Sequence, residues 1–189
     1  MSNKYKIMEY IKTEIEGLWI IDPLIIQDAR GYFMESYKKT EFEQAIGKKV
    51  EFIQDNESQS SFGVLRGLHF QTGEAAQAKL VRVIHGKVWD IAVDIRKTSA
   101  TFGKYVAVEL SDENKRQFFI SRGFAHGFLV LSETAVFTYK VDNIYSPSHE
   151  RVINCMDSDL AIQWPIDESL LRLSEKDRLG KRLEEIENI

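Results

Sequence analysis

Two short stretches of the chain place a histidine beside glycines and polar or positive residues, a setting suited to acid–base chemistry. His69 lies in VLRGLHFQ, and His126 lies in SRGFAHGF between Gly123 and Gly127. Glycines at such positions let backbone approach a ligand closely. Because imidazole changes charge near neutral pH, either ring could act as a general base. The competing interpretation of His69 alone is a half-buried structural histidine.

A histidine base needs a carboxylate that fixes its tautomer and stabilises the imidazolium. Asp90 and Asp94 alternate with apolar residues in VWDIAVDI, which is also typical of a structural role. Asp157 and Asp177 follow much later in the chain. The pattern alone does not choose among these four aspartates.

Other side chains could supply a proton or a positive charge. Tyr139 lies two residues after Phe137 in AVFTYKV, on the same face of an expected strand, so its phenol could donate a proton opposite the base. A core aromatic is the alternative. Lys79, Arg30 and Arg66 could hold a diphosphate or an oxyanion, although isolated surface charges have the same appearance.

The chain lacks the usual signatures of a metal centre. Metal-binding cupins carry H-x-H on one strand, whereas position 71 is glutamine. His85 precedes a glycine and His149 lies in the polar SPSHE, so both are expected to be solvated or structural. The single Cys155 excludes an internal disulfide and suits a reducing compartment, the cytoplasm. We expect no metal and no cofactor.

The elements that would hold these residues are mainly strands. From Val50 onward, β-branched and aromatic runs alternate with turn residues at His85-Gly86, Ser111-Asp112 and Ser132-Glu133. Helical patterning is confined to TEFEQAIG, with Thr40 as N-cap and a stop at Gly47, and to the charged tail EKDRLGKRLEEIENI. The pattern predicts a cupin-like antiparallel jelly-roll barrel with short peripheral helices.

Length and charge narrow the function. The 189 residues suit one domain spanning 1–189, and the net charge of −4 makes nucleic acid an unlikely ligand. Charged residues interrupt each apolar run near the N-terminus, so neither a signal peptide nor a membrane role is expected.

In this order, the strings DARGYF, QDNESQSSFGVLRGLHFQ, QAKLV, GKVWDIAVDIR, SRGFAHGF, FTYKVD and LSEKD resemble the dTDP-4-dehydrorhamnose 3,5-epimerase family. The resemblance runs from about Gly17 to Asp177. It implies a metal-free, cupin-like homodimer that binds a dTDP-sugar. The implied reaction inverts C3 and C5 of dTDP-4-dehydro-6-deoxyglucose through an enolate, a step in dTDP-L-rhamnose biosynthesis.

The resemblance also implies a role for individual residues. It makes His69 the base, Asp177 its partner and Tyr139 the acid on the opposite face, with Asp90 and Asp94 mainly structural. The remaining implied contacts are Lys79 and His126 beside the keto oxygen and sugar, Arg66 at the diphosphate, Gln54 and Asn56 at the nucleotide, and Arg30, Phe33 and Glu35 reaching the neighbouring subunit's site.

The chain departs from the family pattern at Ser121, where proline is common, and at Cys155 and Ser158 in INCMDSDLAIQWP. Three alternatives therefore stay open. They are a single-centre 3- or 5-epimerase of a related dTDP-4-keto-6-deoxysugar, a non-catalytic nucleotide-sugar binding module, and a metal-dependent cupin, which the absent H-x-H disfavours.

Overall fold

A computed structural model describes residues 8–186 of the chain, and their architecture is built from antiparallel strands. The strands are β1 (Glu9–Lys12), β2 (Leu18–Asp22), β3 (Ile26–Asp28), β4 (Gly31–Phe33), β5 (Gln54–Ser61), β6 (Leu65–Gln71), β7 (Lys79–His85), β8 (Lys87–Asp94), β9 (Tyr105–Ser111), β10 (Gln117–Ile120), β11 (Phe124–Val130), β12 (Thr134–Val141) and β13 (Glu150–Val152). The helices are α1 (Lys39–Ile46) and α2 (Glu175–Arg178), with 3-10 turns at Gly73–Ala75, Glu168–Leu170 and Leu183–Glu185.

The strands form two main sheets. The six-stranded sheet has the order β1-β2-β10-β7-β12-β5, and the five-stranded sheet has the order β13-β6-β11-β8-β9. Strands β3 and β4 form a separate two-stranded ribbon. The predicted class, a cupin-like antiparallel jelly roll, is confirmed. In the described part of the chain, no helix is long and apolar enough to cross a membrane.

Three apolar clusters hold the layers together. The central cluster joins the inner faces of both sheets, for example Val81 and Phe137 with Val88 and Phe128. Such inward alternation is what a two-sheet core requires. The second cluster covers the outer face of the five-stranded sheet with residues 153–186, and the third packs α1 on the outer face of the six-stranded sheet. Each sheet is therefore covered on both faces over much of its area.

The predicted turns are confirmed, whereas the helix predictions were only partly right. Gly47 ends α1 in the left-handed conformation, with φ 70°, but Thr40 is not its N-cap, because α1 begins at Lys39 after an extended Lys38. The charged tail is not one helix: α2 stops after four residues, and Gly180 packs against the backbone of Asn154. The rest of the tail bends so that Leu183 reaches the outer core; residues 187–189 lie outside the described residues.

Strands β6 and β11 approach each other unusually closely at a pair of glycines. A Cβ on Gly67 would lie 2.6 Å from the Gly127 Cα, and one on Gly127 would lie 2.8 Å from the Arg66 carbonyl oxygen. The expectation that Gly127 lets backbone approach a ligand was wrong, since the neighbour is strand β6. This contact sets the register in which His126 pairs with His69.

Gly67→Ala tests this contact. Gly67 has φ 131° and no room for a Cβ, so we expect strain and overpacking to lower the free energy of unfolding by about 3 kcal/mol or more, measured by urea denaturation. The control is Gly47→Ala, because Gly47 also has positive φ but open space around it. Its expected cost is about 1 kcal/mol. Equal costs for the two variants would contradict the close strand contact.

Candidate active site

A cavity of about 310 Å³ opens between the two main sheets. Strands β5, β7 and β12 of one sheet and β6 and β13 of the other contribute to its wall. The lining side chains are Gln54, Asn56, His69, Phe70, Gln71, Gln77, Lys79, Tyr139, Tyr145 and Glu150. Five of the residues selected from the sequence therefore share one cavity: Gln54, Asn56, His69, Lys79 and Tyr139.

His69 is paired with Asp177, although 108 positions separate them in the chain. The His69 Nε2 lies 2.5 Å from the Asp177 Oδ1. The Asp177 side chain is only 4% exposed, whereas that of His69 is 26% exposed toward the cavity. A buried carboxylate on one ring nitrogen leaves the accessible part of the ring free to exchange a proton. The pair has the arrangement of a general base and its orienting group.

A serine fixes the far side of the same carboxylate. Ser174 precedes α2, and its hydroxyl accepts the Asp177 backbone N–H at 3.1 Å while donating to the Asp177 Oδ2 at 2.7 Å. Burial alone would raise the pKa of Asp177, but hydrogen bonds from His69 and Ser174 outweigh it and hold that pKa below its ordinary value. The carboxylate therefore stays charged beside His69.

A second histidine–carboxylate pair lies next to the first. The His126 Nε2 is 2.9 and 3.0 Å from the two oxygens of Asp90, and both side chains are buried. Burial lowers the pKa of His126 and raises that of Asp90, because each charged form loses hydration. The resemblance implied a mainly structural Asp90, whereas the structure places it against a site histidine.

Lys79 and Tyr139 stand on the opposite wall, on adjacent strands of the six-stranded sheet. The Lys79 Nζ is 6.0 Å from the centre of the Tyr139 ring. Burial lowers the pKa of Lys79 to about 8 and raises that of Tyr139. A phenol that keeps its proton can act as an acid, and an ammonium there can stabilise a developing oxyanion. Tyr139 shares its strand face with Phe137, as the spacing predicted.

Gln54 and Asn56 line the cavity from β5, whereas Arg66 on β6 is not part of its lining. The Arg66 Nε donates to the Ser60 Oγ at 3.0 Å, and Arg66 borders a second cavity of about 460 Å³ that also reaches His69. The Gln54 amide donates to the Asn56 Oδ1 at 2.7 Å. An arginine and two amides close to a cavity suit phosphate and base recognition.

The structure does not bring Arg30, Phe33 and Glu35 to this cavity. All three are exposed on or just after the β3–β4 ribbon, and Arg30 is paired with Asp28. Phe33 is 64% exposed, with Ile26 and Tyr32 also uncovered on the ribbon. Within one chain these residues do not line the cavity.

Gln71, where a cupin would carry its second histidine, serves the backbone. Its amide nitrogen donates to the Ala75 and Ile144 carbonyls, and its oxygen accepts the Ser146 N–H. Across residues 8–186, no group of three or more His, Cys, Asp or Glu is arranged to hold a metal ion. His85 lies 3.5 Å from the Asp112 carboxylate, away from the cavity.

His149 is likewise occupied outside the cavity, with its Nδ1 2.7 Å from the Ser146 Oγ. The two remaining candidate aspartates are structural: Asp94 binds Arg96, Ser99 and Thr101 after β8, and Asp157 accepts the Leu183 N–H.

Some cavity residues were not found from the sequence. Glu150 accepts hydrogen bonds from the Tyr145 hydroxyl at 2.9 Å and from the Lys176 Nζ at 2.8 Å. Burial would raise the pKa of Glu150, but these two partners lower it overall. The only sequence signal was the density of polar residues in YSPSHE, which is equally typical of a surface loop.

The positions that depart from the family pattern lie outside the cavity lining. The Ser121 N–H donates to the Gly17 carbonyl, Cys155 is buried in the outer core, and Ser158 is exposed. None of the three contacts His69, Asp177, Tyr139 or Lys79 through a hydrogen bond among the described residues.

Comparison with known proteins identifies relatives along nearly the whole chain. Residues 12–185 match the family model described as dTDP-4-dehydrorhamnose 3,5-epimerase. The dTDP-4-dehydrorhamnose 3,5-epimerase of Shigella flexneri is 54% identical over 175 residues, which cover 93% of this chain and 96% of that protein.

Two solved structures share the architecture. The dTDP-4-dehydrorhamnose 3,5-epimerase of Elizabethkingia anophelis NUHP1 has a TM-score of 0.91 and 52% identity, covering 94% of this chain and 97% of that one. The dTDP-6-deoxy-D-glucose-3,5-epimerase of Legionella pneumophila, in complex with dTDP-4-keto-L-rhamnose, has a TM-score of 0.92 and 50% identity, covering 95% of each chain.

Asp177→Asn tests the first pair through the pH dependence of stability. Because the folded-state pKa of Asp177 is lowered, its carboxylate contributes stability that is present above the unfolded pKa and lost as pH falls through the folded one. We expect the variant to lower the free energy of unfolding more at about pH 6 than at about pH 3, measured with urea. The control Asp55→Asn, at a 72% exposed carboxylate, should change it by less than about 0.5 kcal/mol at either pH. A penalty for Asp177→Asn that does not vary with pH would count against the pairing.

Proposed function

The chain belongs to the dTDP-4-dehydrorhamnose 3,5-epimerase family of isomerases, and we propose that it converts dTDP-4-dehydro-6-deoxyglucose to dTDP-4-dehydro-L-rhamnose in dTDP-L-rhamnose biosynthesis. One observation supports the proposal above the others. His69, which is paired with Asp177, and Tyr139 line the same cavity from opposite sheets, as a base and an acid must for inversion of a carbon.

The chemistry begins with the acidity of the carbons beside a ketone. A carbonyl at C4 stabilises the carbanion at either C3 or C5 as an enolate, so one base can serve both positions. His69 takes the proton, and Asp177 stabilises the resulting imidazolium. Tyr139 then delivers a proton to the opposite face of the same carbon. Each positioned acid or base contributes roughly 10²–10⁴-fold to the rate.

Lys79 stabilises the enolate oxygen. Lys79 is half-buried and forms no ion pair within residues 8–186, so its charge remains available to a ligand. A fixed charge in such a site acts more strongly than in water. We place the C4 oxygen beside Lys79, with Arg66 near the diphosphate and the amides of Gln54 and Asn56 near the nucleotide.

The proposed reaction uses no metal. The Nε2 atoms of His69 and of the neighbouring His126 already contact carboxylates, and the Gln71 amide is hydrogen-bonded to backbone groups. Proton transfer at a carbon beside a ketone also needs no redox cofactor, because the substrate and product have the same oxidation state.

Variants at the two walls should separate proton removal from inversion. In D₂O, His69→Ala is expected to lower solvent exchange at both carbons by roughly 10³-fold or more, because the base is lost. Tyr139→Phe should retain exchange but form little inverted product, since only the acid is lost. NMR of the sugar protons measures exchange, and a coupled reductase assay measures product.

The matched control is His85→Ala, because the His85 side chain is 65% exposed and lies outside the cavity. It should keep both activities within about twofold of the unmodified enzyme. Unchanged epimerisation by His69→Ala would show that His69 is not the base. If both variants lost solvent exchange equally, His69 and Tyr139 would not have the separate roles of base and acid.

We also propose that the enzyme is a homodimer in which the β3–β4 ribbon completes the partner's cavity. Three observations support it: Arg30, Phe33 and Glu35 lie outside their own cavity, the ribbon pairs with neither main sheet, and it exposes Ile26, Tyr32 and Phe33. Uncovered apolar side chains grouped on one projecting element are typical of an association surface.

Mixed dimers test this arrangement. A His69→Ala subunit still offers its ribbon, and an Arg30→Ala subunit still offers its cavity, so each mixed dimer would contain one intact site. After mixing and exchange of equal amounts, activity should return to about a quarter of the unmodified value, because half of the dimers are mixed. Light scattering should give twice the 21.8 kDa of one chain.

The control mixture combines His69→Ala with Tyr139→Phe, whose lost residues belong to the same cavity. It should recover no activity, because neither kind of subunit offers an intact cavity. A monomeric mass, or the absence of recovery in the first mixture after confirmed subunit exchange, would contradict the crossed ribbon.

A further inference from the structure

Asp90 is a fully buried carboxylate with very few partners. It lies on β8 with an exposed fraction of 0%. Both oxygens face the single His126 Nε2, and no other hydrogen bond reaches them among residues 8–186. One donor compensates a buried negative charge poorly, so a further positive group is needed nearby.

Lys79 is that positive group. It lies on β7 in the facing sheet and shares a strand face with Val81 and Val83, while Asp90 shares its face of β8 with Val88 and Ala92, so both side chains point into the space between the sheets. The negative charge of Asp90 favours the charged form of Lys79, which makes no ion pair among the described residues. Its Nζ borders the cavity, beside the Tyr139 ring. The ionisable groups around Lys79 come from every neighbouring element: Asp90 (β8), His126 (β11), His69 (β6), Tyr139 (β12), Glu150 (β13) and Lys176 (α2).

His126 is the hydrogen-bond partner of Asp90 and lies beside the cavity, outside its lining. Its Nε2 must carry a hydrogen to bond an ionised Asp90, which leaves Nδ1 with the lone pair in the neutral ring. Nδ1 has no hydrogen-bond partner within residues 8–186, yet it is not among the atoms sealed from solvent. His126 also pairs across the strands with His69, whose ring lines the cavity. Nδ1 is therefore available as an acceptor.

We propose that Asp90 is a positioning residue that fixes His126 as the neutral Nε2–H tautomer, with Nδ1 as an acceptor for a substrate hydroxyl, and that its charge keeps Lys79 protonated. His126 then orients the sugar, and Lys79 is the cation at the enolate oxygen. Only the assignment of substrate groups rests on the proposed function; the tautomer and the charge belong to the unliganded protein.

Both properties can be measured without substrate. In ¹⁵N-labelled protein, long-range NMR correlations of the His126 ring should show a protonated Nε2 and an unprotonated Nδ1 at about pH 7, with His126→Gln identifying the signals. In lysine ¹³Cε spectra, Asp90→Asn should lower the pKa of Lys79 by about one unit or more. Lys79→Met identifies that resonance.

The control is Glu109→Gln, an exposed carboxylate on the adjacent strand β9, which should leave the Lys79 titration unchanged. An imidazolium or an Nδ1–H tautomer of His126 in the unmodified protein would overturn the proposal. This test of the tautomer uses the unmodified protein, so it remains valid even if Asp90→Asn does not fold. An unshifted Lys79 titration in a folded Asp90→Asn would overturn its charge role.

Enzyme kinetics test whether Asp90 affects the reaction. The fall of kcat/KM at high pH, where Lys79 loses its proton, should move to lower pH by about the same amount in Asp90→Asn, a change that a purely structural substitution would not cause. If the unmodified protein shows the expected tautomer and titration but no epimerisation, the proposed function fails while the inference about Asp90 stands.

Discussion

The site depends on the pairing of two histidines, His69 in the cavity and the buried His126 beside it, with buried carboxylates. His69 holds Asp177, and His126 holds Asp90. An isolated charge could not be buried between two sheets at acceptable cost, so each carboxylate needs its partner. The contact of Gly67 with Gly127 places the two pairs side by side, because it sets the register of β6 against β11.

The rest of the fold positions these pairs and completes the cavity. The six-stranded sheet carries Lys79 and Tyr139 on the facing wall, so two sheets present different chemistry to one space. Residues 153–186 cover the outer face of the five-stranded sheet and then deliver Asp177 back to His69. The same segment therefore stabilises the sheet and supplies a member of the site.

Local sequence patterns predicted the strands from β7 to β12, because their apolar residues alternate and their turns contain suitable residues. Strand β5, QDNESQSS, was not recognisable, because it lies at a sheet edge and only Ser60 in it is buried. The tail helix was overestimated, since tertiary contacts of Leu183 and Gly180 outweigh helix propensity. The choice of Asp177 required the family resemblance, because no local pattern reports a contact across 108 positions. The pairing of Asp90 with His126 across 36 positions was not predicted either.

Metal-free inversion of two carbons in one enolate-forming cavity can be tested by counting the protons that the unmodified enzyme exchanges with solvent. dTDP-4-dehydro-6-deoxyglucose would be incubated in D₂O with and without a chelator, and deuterium at C3 and C5 followed by NMR. The account predicts label at both carbons, at the same rate with chelator, in a product that a reductase accepts as dTDP-4-dehydro-L-rhamnose. Label at one carbon only, or exchange that the chelator abolishes and an added metal restores, would contradict it.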